Sequence, residues 1–262
     1  MTRRVRAIAL SALVSAALLN HAIGGVIIST QSVDTVTRLK QTQRTILSGP
    51  LVRTEERGKA SIVRSELGKI WELSANGSSC VEYSLADLAA MRRSAADGTR
   101  QMLESLAGSA PTPQAQAQLQ QMAARSTFAL PKASYRRLAS GETVGKWTCD
   151  RFAKEIGGTK VSEVCVVRLA ALKMSRSDLA GIVNASAVFG AAPSTWDQET
   201  VSLLENTQVI GYDAFPVSIS VVDGSGAPRF VTQLSGLTRS KIPMKAFQPA
   251  VNCTPAATVI TK

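Results

Sequence analysis

Between residues 26 and 84 the apolar positions come in short, often β-branched runs broken by polar residues and glycines. Runs of that length between turn residues read as strands. Segments 25–33, 39–48, 51–56, 60–65, 69–74 and 78–84 each fit one. Gly49-Pro50 marks a turn, and Asn76-Gly77 is a strong two-residue hairpin signal. Ile70, Trp71 and Leu73 share a strand, where period-two alternation puts Trp71 and Leu73 on one face. The tight spacing predicts an antiparallel meander.

The period then changes. Leu88, Met91, Ala95, Met102 and Leu106 recur at helical spacing, and the helix stops around 108–113. Thr112 is a natural N-cap with Pro113 at the first helical position, so a second helix, rich in Ala and Gln, runs to about Arg125. Strands resume at 133–139, 146–156 and 159–169, with Gly157-Gly158 as a hairpin turn. Ser177 caps a further helix through about Phe189. Thr195 with Gln198 forms a capping box for another over 196–206, with apolar face Trp196, Leu203 and Leu204. Segments 214–222 and 229–238 precede a tail marked by Pro243, Pro249 and Pro255. About eleven strands and three or four helices predict an α+β fold. Helical insertions at about 85–126 and 177–206 cover one face of a curved antiparallel sheet.

The N-terminus stands apart. Arg3, Arg4 and Arg6 precede an apolar stretch over 7–19, followed by the small residues of Ala22-Ile23-Gly24. This is the secretory signal pattern. It predicts a cleaved signal over 1–24 and a single periplasmic or secreted domain over 25–262. An uncleaved anchor over 7–28 is the alternative, although Asn20 and His21 interrupt that run.

Export changes the available chemistry. The 262 residues hold 30 Lys+Arg against 19 Asp+Glu, a formal charge of +11; losing the signal's three arginines leaves +8. His21, the one histidine, leaves as well. A basic exported chain points to anionic head groups, surface polysaccharide or acidic proteins as partners, and away from nucleic acid; a basic surface that serves solubility alone is the alternative. Four cysteines in such a chain suggest disulfides. Folding at Gly157-Gly158 brings Cys149 opposite or next to Cys165. That leaves Cys80 for Cys253, which would tie the tail to the sheet. Free buried thiols are the alternative. No CxxC pair exists, which argues against zinc.

Three stretches carry a family resemblance. They are VRTEERGKASIVRSELGKIWELSANGSSCVEYS from Val52, YRRLASGETVGKWTCDRF from Tyr135, and AFPVSISVVDGSGAPRFVTQLSGL from Ala214, with Ile242-Pro243 and Phe247-Gln248-Pro249 following. Together they resemble an uncharacterised domain family of exported bacterial proteins, itself similar to the outer-membrane lipoprotein carriers. Lys146 and Cys165 depart from its pattern, which favours Gly and Trp there. The resemblance implies an open half-barrel closed by helices. It supplies no catalytic residues.

Catalytic motifs are wanting. Gly141 to Lys146 is one residue short of a phosphate loop, and Trp147 stands where Ser or Thr belongs. Ser225 lies between two glycines without matching GxSxG, and no histidine remains for a triad. Asp34, Glu55, Glu56, Glu66, Glu72 and Glu82 read as exposed strand positions, so no enzyme and no cofactor or metal site is expected. Two readings stand. In the first, the chain is a binding module for lipid or another apolar envelope ligand. A continuous apolar cavity would lie beneath the helices, lined by Trp71, Leu73, Leu88, Met91, Met102, Leu106, Trp147 and Trp196. In the second, it is a structural or interaction protein whose helices fill that hollow and whose outer surface or edge strands do the work.

Overall fold

The two runs of strands zip into one sheet through their outermost members. In the computed structural model, which describes residues 22–124, 132–189 and 194–256, there are twelve strands. They are β1 (Ala22–Asp34), β2 (Lys40–Ser48), β3 (Leu51–Glu56), β4 (Lys59–Arg64), β5 (Lys69–Leu73), β6 (Cys80–Ser84), β7 (Ala133–Val144), β8 (Trp147–Ile156), β9 (Thr159–Arg168), β10 (Ala214–Val222), β11 (Pro228–Pro243) and β12 (Thr254–Pro255). The order across the sheet is β12-β6-β5-β4-β3-β2-β1-β11-β10-β9-β8-β7. Every pair is antiparallel except β12 with β6. The long β1–β11 ladder, from Ala22 opposite Pro243 to Asp34 opposite Phe230, joins the two meanders. The end strands β7 and β12 do not pair with each other, so the sheet is open.

Both faces of the β2–β5 half carry buried apolar side chains, which accounts for its paired apolar residues. Successive side chains point to opposite faces. Val26, Leu47, Val52, Val63 and Ile70 lie opposite one another across the strands and form the helix-side row. Ile27, Ile46, Arg53, Ile62 and Trp71 form the neighbouring row on the other face. Doublets such as Ile46-Leu47 and Ile62-Val63 therefore serve two cores, as in a strand buried on both sides.

The first core lies under α3 (Ala180–Phe189) and α4 (Thr195–Glu205), which bury Ile182, Phe189, Trp196 and Leu203. Trp196 meets Phe215 edge to face, with ring centroids 6.1 Å apart. The second core is closed by the C-terminal tail, whose 3₁₀ turn Met244–Phe247 drives Phe247 to 0% exposure over Ile46, Ile62 and Trp71. Burial of one such ring contributes about 1.5–3 kcal/mol. The tail is pinned by a disulfide between Cys80 and Cys253 and by the β12–β6 pairing. A second disulfide joins Cys149 to Cys165, which lies opposite Arg151, one diagonal step away. These are the pairs reached by folding the chain at Gly157-Gly158. Two disulfides indicate an oxidising, non-cytoplasmic location.

Some details depart from the sequence reading. The twelfth strand is the two-residue β12. The cap expected at Ser177 lies at Ser175, whose extended backbone lets its N–H and Oγ donate to Asp178 Oδ2 at 2.8 and 2.9 Å; Ser177 is already inside the turn. The cap expected at Thr195 lies at Ser194, which is extended and accepts from the Asp197 N–H, while Thr195 begins the helix. The first helical insertion does not cover the sheet. Its helices α1 (Leu85–Gly108) and α2 (Pro113–Ala124) pack on each other, burying Ala107 and Ala123; α1 meets the body around its capped start, where Leu88 packs against the first core. Residues 1–21, most of the expected signal, and 125–126 lie outside the described residues. Ala22, Ile23 and Gly24 begin β1, so cleavage after Gly24 would leave the ladder starting at Gly25 opposite Ser240.

Candidate functional site

The eight residues expected to line one cavity are not gathered into one. Trp71 and Leu73 sit in the second core. Trp196 belongs to the first, with Leu88 and Trp147 partly buried at its margin. Met91, Met102 and Leu106 are 44%, 58% and 48% exposed along α1. The apolar side chains of the first core pack against the inner faces of α3 and α4.

The more developed site is on the opposite face, where the tail stops short of covering β1–β3. A groove of about 640 Å³ opens there. Its apolar floor comes from Ile27 and Ile46, directly opposite each other, with Ile242 from the end of β11. Arg44, Arg53, Lys241 and Lys245 stand around it, with Glu55 as the one carboxylate. Alternation explains the grouping. Arg44 lies two residues from Ile46, Glu55 two from Arg53, and Arg44 faces Glu55 across the ladder.

Glu55 sits between two guanidinium groups. It accepts from Arg53 Nε at 2.7 Å and from Arg44 Nη1 at 3.1 Å. Burial pushes its carboxyl up, but the bonds and charges of Arg53 and Arg44 outweigh this and hold it below the usual range. Lys241 and Lys245 have no ion-pair partner among the described residues. The groove therefore carries an excess of positive charge over an apolar base. A second hollow of about 500 Å³ shares Arg44, Arg53 and Glu55 and extends the site toward Arg57 and Lys59.

The sequence held part of this signal. In Leu51-Val52-Arg53-Thr54-Glu55, alternation sets Arg53 and Glu55 beside Leu51 on one face. What local pattern does not supply is the arrival of 242–250, from the far end of the chain, to form the wall. Glu82, another meander acid, is held low by hydrogen bonds from Lys69 and then Trp71 Nε1, and has a structural partner set. Among the described residues, no three His, Cys, Asp or Glu side chains are grouped as metal ligands would be. No helix there is long and apolar enough to cross a membrane.

No family model matches the chain, and no curated protein matches it. Among solved structures it is similar to an uncharacterized conserved protein from Thermus thermophilus, with TM-score 0.43 and 7% identity, over 94% of this chain and 99% of that one. It is also similar to PNGF-II, with TM-score 0.40 and 8% identity, over 90% of this chain and 32% of that one. Likeness at this level decides nothing about activity.

Proposed function

We propose that the protein is an exported, non-enzymatic binding module of half-barrel type that takes an anionic amphiphile of the cell envelope in the outer-face groove. The observation that carries this reading is the pairing of uncompensated cations, Lys241 and Lys245, with the apolar floor of Ile27, Ile46 and Ile242. A phosphate or carboxylate head group would meet the lysines and Arg44. The first apolar segment behind it would lie on the isoleucines. The two disulfides and the N-terminal signal pattern support export to the periplasm or beyond. This moves the lipid site from beneath the helices to the face closed by the tail.

The test is co-sedimentation of the purified protein with phosphatidylglycerol or phosphatidylcholine vesicles. The reading expects preference for the anionic vesicles, weakening with salt. At about 1 kcal/mol per lysine near an anionic surface, K241A/K245A should weaken binding roughly thirtyfold. Equal binding to both vesicles, or no effect of the lysine pair, overturns it. A second reading, an interaction protein, is favoured by one observation: the exposed Met91, Met102 and Leu106 stripe on α1. There, M91A/M102A would abolish binding and the lysine pair would not.

A further inference from the structure

A separate cavity of about 550 Å³ lies between the edge of the sheet and α4. That volume is within the range of small-molecule sites, about 300–1,000 Å³. One stripe of α4 supplies Gln198, Ser202 and Glu205, with Asn206 at the helix end. The spacing i, i+4, i+7 keeps the first three on one helix face. Lys132 and Lys154 come from the strand side.

The charges are arranged in two tiers. At the base, Lys154 Nζ donates to Glu199 Oε2 at 2.6 Å, and both side chains are largely buried. Tyr135 Oη donates its proton to Glu199 Oε1 at 2.6 Å and also lies 2.8 Å from Ser202 Oγ. That pair is closed and contributes no net charge. Nearer solvent, Lys132 and Glu205 have no ion-pair or hydrogen-bond partner among the described residues.

Glu205 also lies at the carbonyl end of α4. It occupies the last turn of α4, whose carbonyl end is already partly negative, and that turn holds no basic residue of its own. Arg176 reaches the Leu204 carbonyl at 3.2 Å and also pairs with Asp213. A cation beside Glu205 would relieve this crowding of negative charge. An anion beside Lys132 would complete the opposite wall.

The geometry points to a binding site for a small zwitterion, a free amino acid or dipeptide. Its ammonium pairs with Glu205 and its carboxylate with Lys132, while Gln198, Ser202 and Asn206 meet its amide and side-chain groups. This site involves α4 and the β7–β8 end of the sheet, and stands independently of the amphiphile groove.

The test is calorimetry and amide-shift NMR on the purified protein with L-alanyl-L-alanine, its N-acetyl form and its C-terminal amide. The expected result is one-to-one binding of the dipeptide, with shifts at Gln198, Ser202 and Asn206. Each blocked form should bind about tenfold more weakly, one charge-assisted contact having been lost. Glu205→Gln should erase the preference for the free amine, and Lys132→Met the preference for the free carboxylate. Both side chains are exposed, so neither change threatens the fold. The proposal is overturned by no shifts with millimolar dipeptide, by equal affinity for all three compounds, or by preferences that the two variants leave unchanged.

Discussion

Arg53 donates from Nη1 to the carbonyl oxygen of Ala246 at 3.1 Å, and from Nε to Glu55 at 2.7 Å. One guanidinium thus joins the floor of the outer-face groove to the tail that walls it. Phe247, the next residue, is fully buried, and Cys253 anchors the far end to Cys80. The wall is a strap fixed at three points, and its covalent point closes by far the longer loop.

That difference can be measured. Cys80 and Cys253 are 173 residues apart in sequence, Cys149 and Cys165 only 16. In the chain-entropy account a cross-link stabilises by restricting the unfolded chain, by about 5 kcal/mol for the long loop and about 3 for the short one. The C80S/C253S variant is therefore expected to lose more stability in urea than C149S/C165S. Equal losses would mean that the tail's cross-link adds nothing beyond a local one.

Gly181 should resist a change that helix propensity favours. It lies in α3, where alanine is ordinarily better than glycine by about 1 kcal/mol. A Cβ there would meet Val52 Cγ2 at 2.8 Å and the backbone oxygens of Gly49 and Leu51 at 3.0 and 3.1 Å. The backbone oxygens cannot step aside without moving the β2–β3 turn. Gly181→Ala is expected to destabilise by about 1–3 kcal/mol, the usual cost of overpacking. A thermal midpoint unchanged or raised would show that α3 can lift off the sheet at little cost.

Asp197 ties stability to pH. It is completely buried at the start of α4, where Ser194 Oγ donates to Oδ2 at 2.7 Å and Oδ1 has no partner. Burial pushes its carboxyl up to about 7, partly opposed by the Ser194 bond. A folded-state pKa above the unfolded value means the native state binds the proton more tightly. The native state therefore loses stability as pH rises from about 4 to about 7, and no further above that. Asp197→Asn removes the titration. Its stability relative to wild type should improve by about 2–3 kcal/mol between pH 5 and pH 8. A pH-independent difference in denaturation midpoints would remove Asp197 as the source.

Local pattern carried much of the fold, because strands and their turns are short-range features. Asn76-Gly77 and Gly157-Gly158 sit at hairpin turns with positive φ at Gly77, Gly157 and Gly158, where glycine is unstrained. The stripe through Leu88, Met91, Met102 and Leu106 identified a helix, but periodicity does not say what an apolar face packs against. Here α1 buries Ala107 where it packs on α2 and leaves Met91 and Met102 largely exposed. The groove was hidden for a related reason. Arg44, Arg53 and Glu55 look like ordinary polar strand positions until Lys241 and Lys245 arrive from nearly two hundred residues away, a placement set by the β1–β11 ladder. The doublets Ile46-Leu47 and Ile62-Val63 were the available clue that a second layer covers the outer face.

The Lys154–Glu199 pair should behave as a coupled unit. Its side chains are 14% and 6% exposed, and Tyr135 holds the remaining carboxylate oxygen. Removing one partner strands the other charge in a region poor in water, whereas removing both leaves only a polar contact to lose. Lys154→Met is expected to cost about 3–5 kcal/mol. The K154M/E199Q double variant should be less destabilised than the sum of its single variants, with a coupling above about 1 kcal/mol. The measurement is a double-mutant cycle in urea at neutral pH. Additive losses would mean that the two side chains are solvated separately and that the base of the α4 cavity is wet rather than sealed by the ion pair.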